Sequence, residues 1–264
     1  MQPKKFLFVS KESLSGDLAL SLVKEGHAVK IHFSDRSSQD VYQGLLSKVR
    51  DWKKCVHWAD IIIFDDENFG RHADRLRRRK KLVIGGSAYT DRLEIDREFG
   101  QKELERHGVN VLPRWDFDNY ESAIRFIKNH PDRYVFKPTG NKQSGSKGII
   151  IISQESDGRD LHEFLKQNNK VLSKKEPHFL LQKCADGVEI AVGAFFNGNN
   201  FISPVNVNFE HKRFFHSNLG PLTGETGTLM YWTETNKLFQ ETLLKMTPSL
   251  QKSRYIGYID INCI

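Results

Sequence analysis

Four short apolar runs open the chain: Phe6 to Val9, Ala28 to Phe33, Ile61 to Phe64 and Lys81 to Ile84. Each has strand length, and stretches able to form helices separate them. Asp17 to Lys24 has helical spacing and ends at Glu25-Gly26, a sequence suited to a helix C-cap. This alternation predicts a small open parallel sheet over residues 1–90. From Asp91 to His107 apolar residues again recur helically, and Gly108 closes that helix before Val109-Asn110-Val111-Leu112-Pro113. Another helix is expected from Tyr120 to Asn129, stopped at His130-Pro131.

After it the pattern changes to strands: Tyr134 to Lys137, Gly148 to Ile152, Phe179 to Lys183, Glu189 to Phe196, Phe201 to Val207 and, at the end, Tyr255 to Ile264. Asp160 to Gln167 is the helix expected among them. The fold class that follows is α/β and α+β: an N-terminal parallel-sheet domain, then a second α+β part. No internal repeat is visible.

With 264 residues, 38% of them apolar, the chain can bury a sizeable core. Its longest apolar runs fall well short of the roughly 20 residues a membrane span requires. The start, Met-Gln-Pro-Lys-Lys, lacks a signal core and a cleavage site. Cys55, Cys184 and Cys263 are far apart and form no CxxC, which speaks against a disulfide framework or a zinc site and for a reducing cytoplasm. A net charge of +7 points to anionic partners, among them nucleotides, phosphorylated metabolites and nucleic acid. The densest basic run, Arg75 to Lys81, reads as the exposed end of a helix before a strand.

Two segments carry candidate chemistry. Tyr134 to Ile150 sets Lys137 at a strand end, then a glycine- and serine-rich turn, then a second strand. Its glycines let backbone N–H groups approach an anion, Ser144 and Ser146 add hydroxyls, and Lys142 and Lys147 add charge. No Walker A pattern is present, and the loop Ser10 to Gly16 has no GxGxxG. Further on, His211-Lys212-Arg213 is followed by Gly220, Thr223, Gly224 and Gly227, a basic cluster with backbone and hydroxyl donors suited to a sugar phosphate.

Lys137, its glycine loop, and the later Leu181-Gln-Lys-Cys-Ala-Asp-Gly-Val-Glu189 resemble the ATP-grasp superfamily. The resemblance implies that Thr139 to Gly148 is a mobile lid over the ATP phosphates, with Ser144, Gly145, Ser146, Lys147 and Gly148 at the nucleotide. It places Gln182 and Lys183 beside the adenine, Ala185 on the hinge, Glu189 at the ribose, and Arg97, at the start of the helix before Gly108, at the phosphates. Gln182 stands where the superfamily usually has an acid. Asn208 to Thr228 is similar to the glycinamide ribonucleotide synthetase signature "DHKR" followed by "GPNTGGMG". By that resemblance Lys212, Arg213, Gly220, Thr223, Gly224 and Gly227 bind the second substrate, and Arg213 is the catalytic candidate. Glu210, Leu222 and Glu225-Thr226 depart from the signature.

Asp260 matches the superfamily's first magnesium carboxylate, and an "ExN" strand that completes the site there lies beyond Ile264. The resemblance therefore implies a chain cut short, with segments at 1–90 (N-terminal), 91–115 (first helix), 116–181 (lid) and 182–264 (incomplete centre). It implies ATP and Mg²⁺, with Mn²⁺ as a substitute. The reaction it implies is a carboxylate–amine ligation through an acyl phosphate, with glycine and phosphoribosylamine as substrates, in a monomer or homodimer. A different amine, even on nucleic acid, and a non-catalytic nucleotide-binding module stay open.

Overall fold

The computed structural model describes residues 2–138, 150–217 and 219–264. The chain divides into two compact units, Met1–Glu94 with Ile190–Cys263, and Ile95–Glu189 with Ile264.

The first unit opens with β1 (Lys5–Ser10), α1 (Gly16–Lys24), β2 (Ala28–Phe33), β3 (Ile61–Phe64), α2 (Gly70–Arg78), β4 (Leu82–Ile84) and α3 (Ala88–Ile95). The strands form one parallel sheet in the order β2-β1-β3-β4. Leu7, Val9, Ile62 and Phe64 face a layer containing Ala73 and Leu76 of α2, while Phe8, Ile31, Phe33 and Ile63 face one containing Ala19 of α1. A sheet covered on both faces has unbroken apolar strands, which is why these are legible as runs.

In the second unit α4 (Arg97–Arg106), β5 (Arg114–Phe117), α5 (Tyr120–Asn129), β6 (Tyr134–Pro138), β7 (Ile151–Ile152), α6 (Arg159–Lys175) and β8 (Phe179–Lys183) follow in turn. Its antiparallel sheet has the order β5-β8-β6-β7. α5 and α6 cover one face through Ala123, Ile127, Leu161 and Leu165. The ring of Phe179 lies 4.3 Å from that of Tyr120, 5.0 Å from Phe136 and 5.7 Å from Phe117.

Three expectations change here. The single helix from Asp91 to His107 is two, because Asp96 leaves helical geometry and its carboxylate accepts the Phe99 N–H at 3.0 Å, capping α4. The helix expected to stop at Gln167 runs to Lys175, held by buried Leu172 in its last turns. Of the strand expected from Gly148 to Ile152, residues 150–152 are described, and Ile151–Ile152 pair with Phe136 and Val135.

The chain then returns to the first unit with β9 (Ile190–Phe196), β10 (Phe201–Phe215), β11 (Leu219–Thr233), the short helices α7 (Lys237–Glu241) and α8 (Thr247–Lys252), and β12 (Gly257–Cys263). These strands form an antiparallel sheet, β11-β10-β9-β12. Val192, Ala194, Val205 and Val207 pack with Phe239 of α7 and Leu243. The strand expected to end at Val207 continues to Phe215, and the glycine-bearing segment read as a substrate loop is the long β10–β11 hairpin. The apolar alternation of Val205, Val207 and Phe209 ends at Glu210-His211-Lys212-Arg213, but backbone pairing runs on from His211↔Gly227 to Phe215↔Leu219.

Candidate functional site

Strand alternation in β6 turns Tyr134 and Phe136 into the core and leaves Val135 and Lys137 on the opposite face. Gln182 pairs with Val135, so it shares the face of Lys137. Lys137 Nζ donates to Gln182 Oε1 at 2.6 Å, and the glutamine is buried. Burial, and then the Arg97 guanidinium, hold the Lys137 pKa below its ordinary value, while Glu189 and Cys184 pull it the other way. The lysine thus meets a neutral amide at close range, with the Arg97 cation and the Glu189 carboxylate both in its field.

Arg97 is exposed in the first turn of α4, and its carbonyl accepts from the Arg114 guanidinium at 3.4 Å. Where β8 ends, the Lys183 N–H donates to the Pro113 carbonyl and the Cys184 N–H to the Arg133 carbonyl, both at 2.8 Å. The Lys183 ammonium lies 2.7 Å from Asp132, and Arg133 holds Asp186 at the same distance. These ties fix the linker on either side of half-buried Ala185, with Glu189 exposed at its far end. Ser144, Gly145, Ser146, Lys147 and Gly148, with the rest of the segment Thr139 to Gly148 expected to act as a lid, lie outside the described residues.

In the β10–β11 hairpin, Lys212 Nζ is 3.2 Å from Glu210, and Arg213 donates to the Gly220 carbonyl at 2.9 Å. The Thr223 hydroxyl donates to the Lys212 carbonyl at 2.9 Å, and His211 Nε2 lies 2.9 Å from the Phe215 carbonyl. Several groups read as ligand donors therefore already bind hairpin backbone. Gly220 has a φ of +82°, and a Cβ there would come within 2.6 Å of the Phe215 ring, so the turn itself demands this glycine. Gly227 pairs with His211, and a Cβ there would meet nothing within 4 Å. Gly224 lies in β11.

Asp260 pairs with Gly193 on β9, which pairs in turn with Asn206, so all three point to one face. Asn206 and Glu210 lie an even number of residues apart in β10, which brings Glu210 to the same face. Asp260 is exposed to solvent, yet the crowding of the carboxylate by its neighbours, and then the like charge of Glu210, raise its pKa. Sequence reasoning misses Glu210 as an acid of this site, since only the cross-strand register shows that it shares a face with Asp260. Nearby, the Tyr258 hydroxyl donates to Asn206 Oδ1 at 3.1 Å over Gly193, and burial pushes its pKa up to about 12. Two carboxylates that oppose each other's ionisation suit a hard cation. Among the described residues no group of three or more His, Cys, Asp or Glu side chains is placed to hold a metal ion.

Residues 95–255 match the family described as "Phosphoribosylglycinamide synthetase, ATP-grasp (A) domain". A phosphoribosylamine–glycine ligase of Methanocella arvoryzae is 27% identical over 158 residues, covering 59% of this chain and 34% of that protein. One from Pyrococcus abyssi is 26% identical over 192 residues, 69% of this chain and 42% of that protein. Among solved structures, the phosphoribosylamine–glycine ligase of Thermotoga maritima has a TM-score of 0.63 at 16% identity, over 98% of this chain and 64% of that one. The N5-carboxyaminoimidazole synthetase of Staphylococcus aureus, complexed with ADP, has a TM-score of 0.58 at 15% identity, over 98% of this chain and 65% of that one. At that identity the likeness concerns the fold, which is ATP-grasp. The chain spans between a third and about two fifths of the length of these two curated relatives. Since the family match takes in more than half of its residues, the chain belongs to the phosphoribosylglycinamide synthetase ATP-grasp (A) domain family.

Proposed function

We propose that this chain carries the ATP-binding part of a carboxylate–amine ligase that works through an acyl phosphate, with glycine and phosphoribosylamine as its substrates. The observation that carries the reading is the Lys137–Gln182 contact beside Arg97, a cationic site whose lysine meets an amide rather than a carboxylate. Lys137 and Arg97 would hold phosphate oxygens, Arg97 through its forked guanidinium. The linker Gln182–Ala185 would meet the adenine edge, and Glu189 the ribose hydroxyls. Asp260, with Glu210 on its face, would hold Mg²⁺, or Mn²⁺ in its place. Bound there, the cation would neutralise charge on the nucleotide phosphates.

The residues' own work is electrostatic. Acyl phosphate formation joins a carboxylate oxygen to the γ-phosphorus and releases ADP; attack of the amine on the acyl carbon then releases phosphate. Both steps place negative charge on oxygens that fixed cations and N–H donors stabilise. No side-chain nucleophile is required, and Arg213 contributes as a cation near the second substrate. Glu210, Leu222 and Glu225-Thr226, where the family signature reads differently, leave room for another amine.

The rival reading is nucleotide binding without turnover. An ADP-release assay with MgATP, glycine and phosphoribosylamine separates the two. Release that depends on both substrates supports the ligase, and nucleotide binding without stimulated release supports the module.

A further inference from the structure

One face of the parallel sheet is covered by two neighbours, α2 and the segment from Val49 to Trp58. Trp52 joins them: it is buried, and its ring stands edge-on to Phe64 and to His72 of α2, 5.5 Å from each. With that joint fixed, the outward sides of both elements form one surface.

The surface is cationic. Arg71, Arg75, Arg78 and Arg79 of α2 and its C-terminal end lie on the outward side, and their spacing sets them opposite buried Ala73 and Leu76. At about 1.5 Å per residue the stripe is about 12 Å long. That spans three to four phosphates of one nucleic-acid strand at about 3.4 Å each. From the neighbouring segment Arg50, Lys53 and Lys54 are also exposed. The two sets converge at His72, whose pKa is lowered by burial and then by Lys53 and Arg75. Beside them Lys30 lies 4.3 Å above the half-buried Trp58 ring.

The acids on this face have structural roles. Asp51 accepts the Lys53 N–H at 3.0 Å and caps a turn, while Asp74 pairs with Arg77 at 3.4 Å and accepts the Ala88 N–H at 2.9 Å. No large apolar side chain from Leu46 to Lys81 is exposed, and the exposed Leu45 and Leu82 flank the segment at its two ends. Arginine forks suit phosphodiester oxygens better than point charges do.

We infer that this face, built by α2 and the Val49–Trp58 segment, binds the sugar–phosphate backbone of nucleic acid. The inference does not rest on the proposed function, since none of its residues is among those assigned to the nucleotide or the cation.

The test is fluorescence anisotropy of a labelled 20-nucleotide DNA, single-stranded and as duplex, with the full chain from 50 to 200 mM KCl. Binding should weaken log-linearly with salt. The triple variant R75Q/R78Q/R79Q should weaken it at least tenfold and flatten the salt slope by about 0.7–0.9 for each phosphate no longer neutralised. A matched variant in α6, K166Q/K170Q/K174Q, should leave binding unchanged, and equal melting temperatures would show that both variants are folded. Equal losses of affinity in the two variants would overturn the inference. So would an absence of DNA binding at 50 mM KCl, or tighter binding to phosphatidylserine vesicles than to either DNA at the same salt.

Discussion

Lys137 donates to the buried carboxamide of Gln182 at 2.6 Å, so the lysine aimed at the proposed phosphate site has a neutral partner rather than a carboxylate. Desolvation is its largest perturbation, and Arg97 adds to it. The ammonium is therefore charged at the expense of native stability, and an anionic ligand reverses that effect.

A pH dependence follows. Lys137 has a folded pKa below the ordinary 10.5, so the unfolded chain binds more protons in the window between the two values. Its contribution opposes folding below that window and is relieved as pH rises through it. Nucleotide affinity should run the other way, falling as pH climbs past the depressed pKa. Titrating MgATP binding from pH 7 to 10 checks this, and K137R, which stays charged, should move the fall to higher pH.

Asp260 makes the opposite trade. Its raised pKa means that the native state loses stability as pH rises from the ordinary 3.8 through the folded value. Asp260 is exposed, so solvent screens its charge, and Asp260→Asn should change the melting temperature at pH 7 little, in the upward direction. The same change should abolish the extra stabilisation that Mg²⁺ gives in the presence of ATP. Thermal scans with and without Mg²⁺ read both effects.

The hairpin glycines should differ. Gly220→Ala forces a positive φ on a side chain that also meets the Phe215 ring, and should cost about 1–3 kcal/mol in urea denaturation. Gly227→Ala has open space and should change stability by less than about 0.5 kcal/mol. A large drop in second-substrate affinity in Gly227→Ala would then mark close approach of a ligand to that backbone.

In the second unit, Phe179→Ala removes a fully buried ring from a cluster with Phe117, Tyr120 and Phe136. It should cost about 3–5 kcal/mol, measured by chemical denaturation.

Much of this is legible along the chain. The strands of the parallel sheet are buried on both faces and announce themselves as runs such as Ile61 to Phe64. Lys137 and Gln182 each stand out in the sequence, but that they meet does not, because the contact depends on the pairing of β6 with β8. Asp96 hides the break between α3 and α4, since the apolar spacing passes straight through it. The β10–β11 hairpin escapes notice for the opposite reason: its outer arms carry Glu210, Lys212 and Thr226, and backbone pairing without apolar alternation leaves little trace in residue types. Glu210 beside Asp260 belongs to the same class of feature, set by register.

Calorimetric titration of MgATP into the chain and into Lys137→Ala tests the proposed nucleotide site most directly. One site is expected in the parent chain, with an affinity roughly tenfold to a hundredfold weaker in the variant, the range for losing a charged hydrogen bond. An unchanged affinity in Lys137→Ala, or no binding by the parent chain, would contradict the assignment of Lys137 to the ATP phosphates.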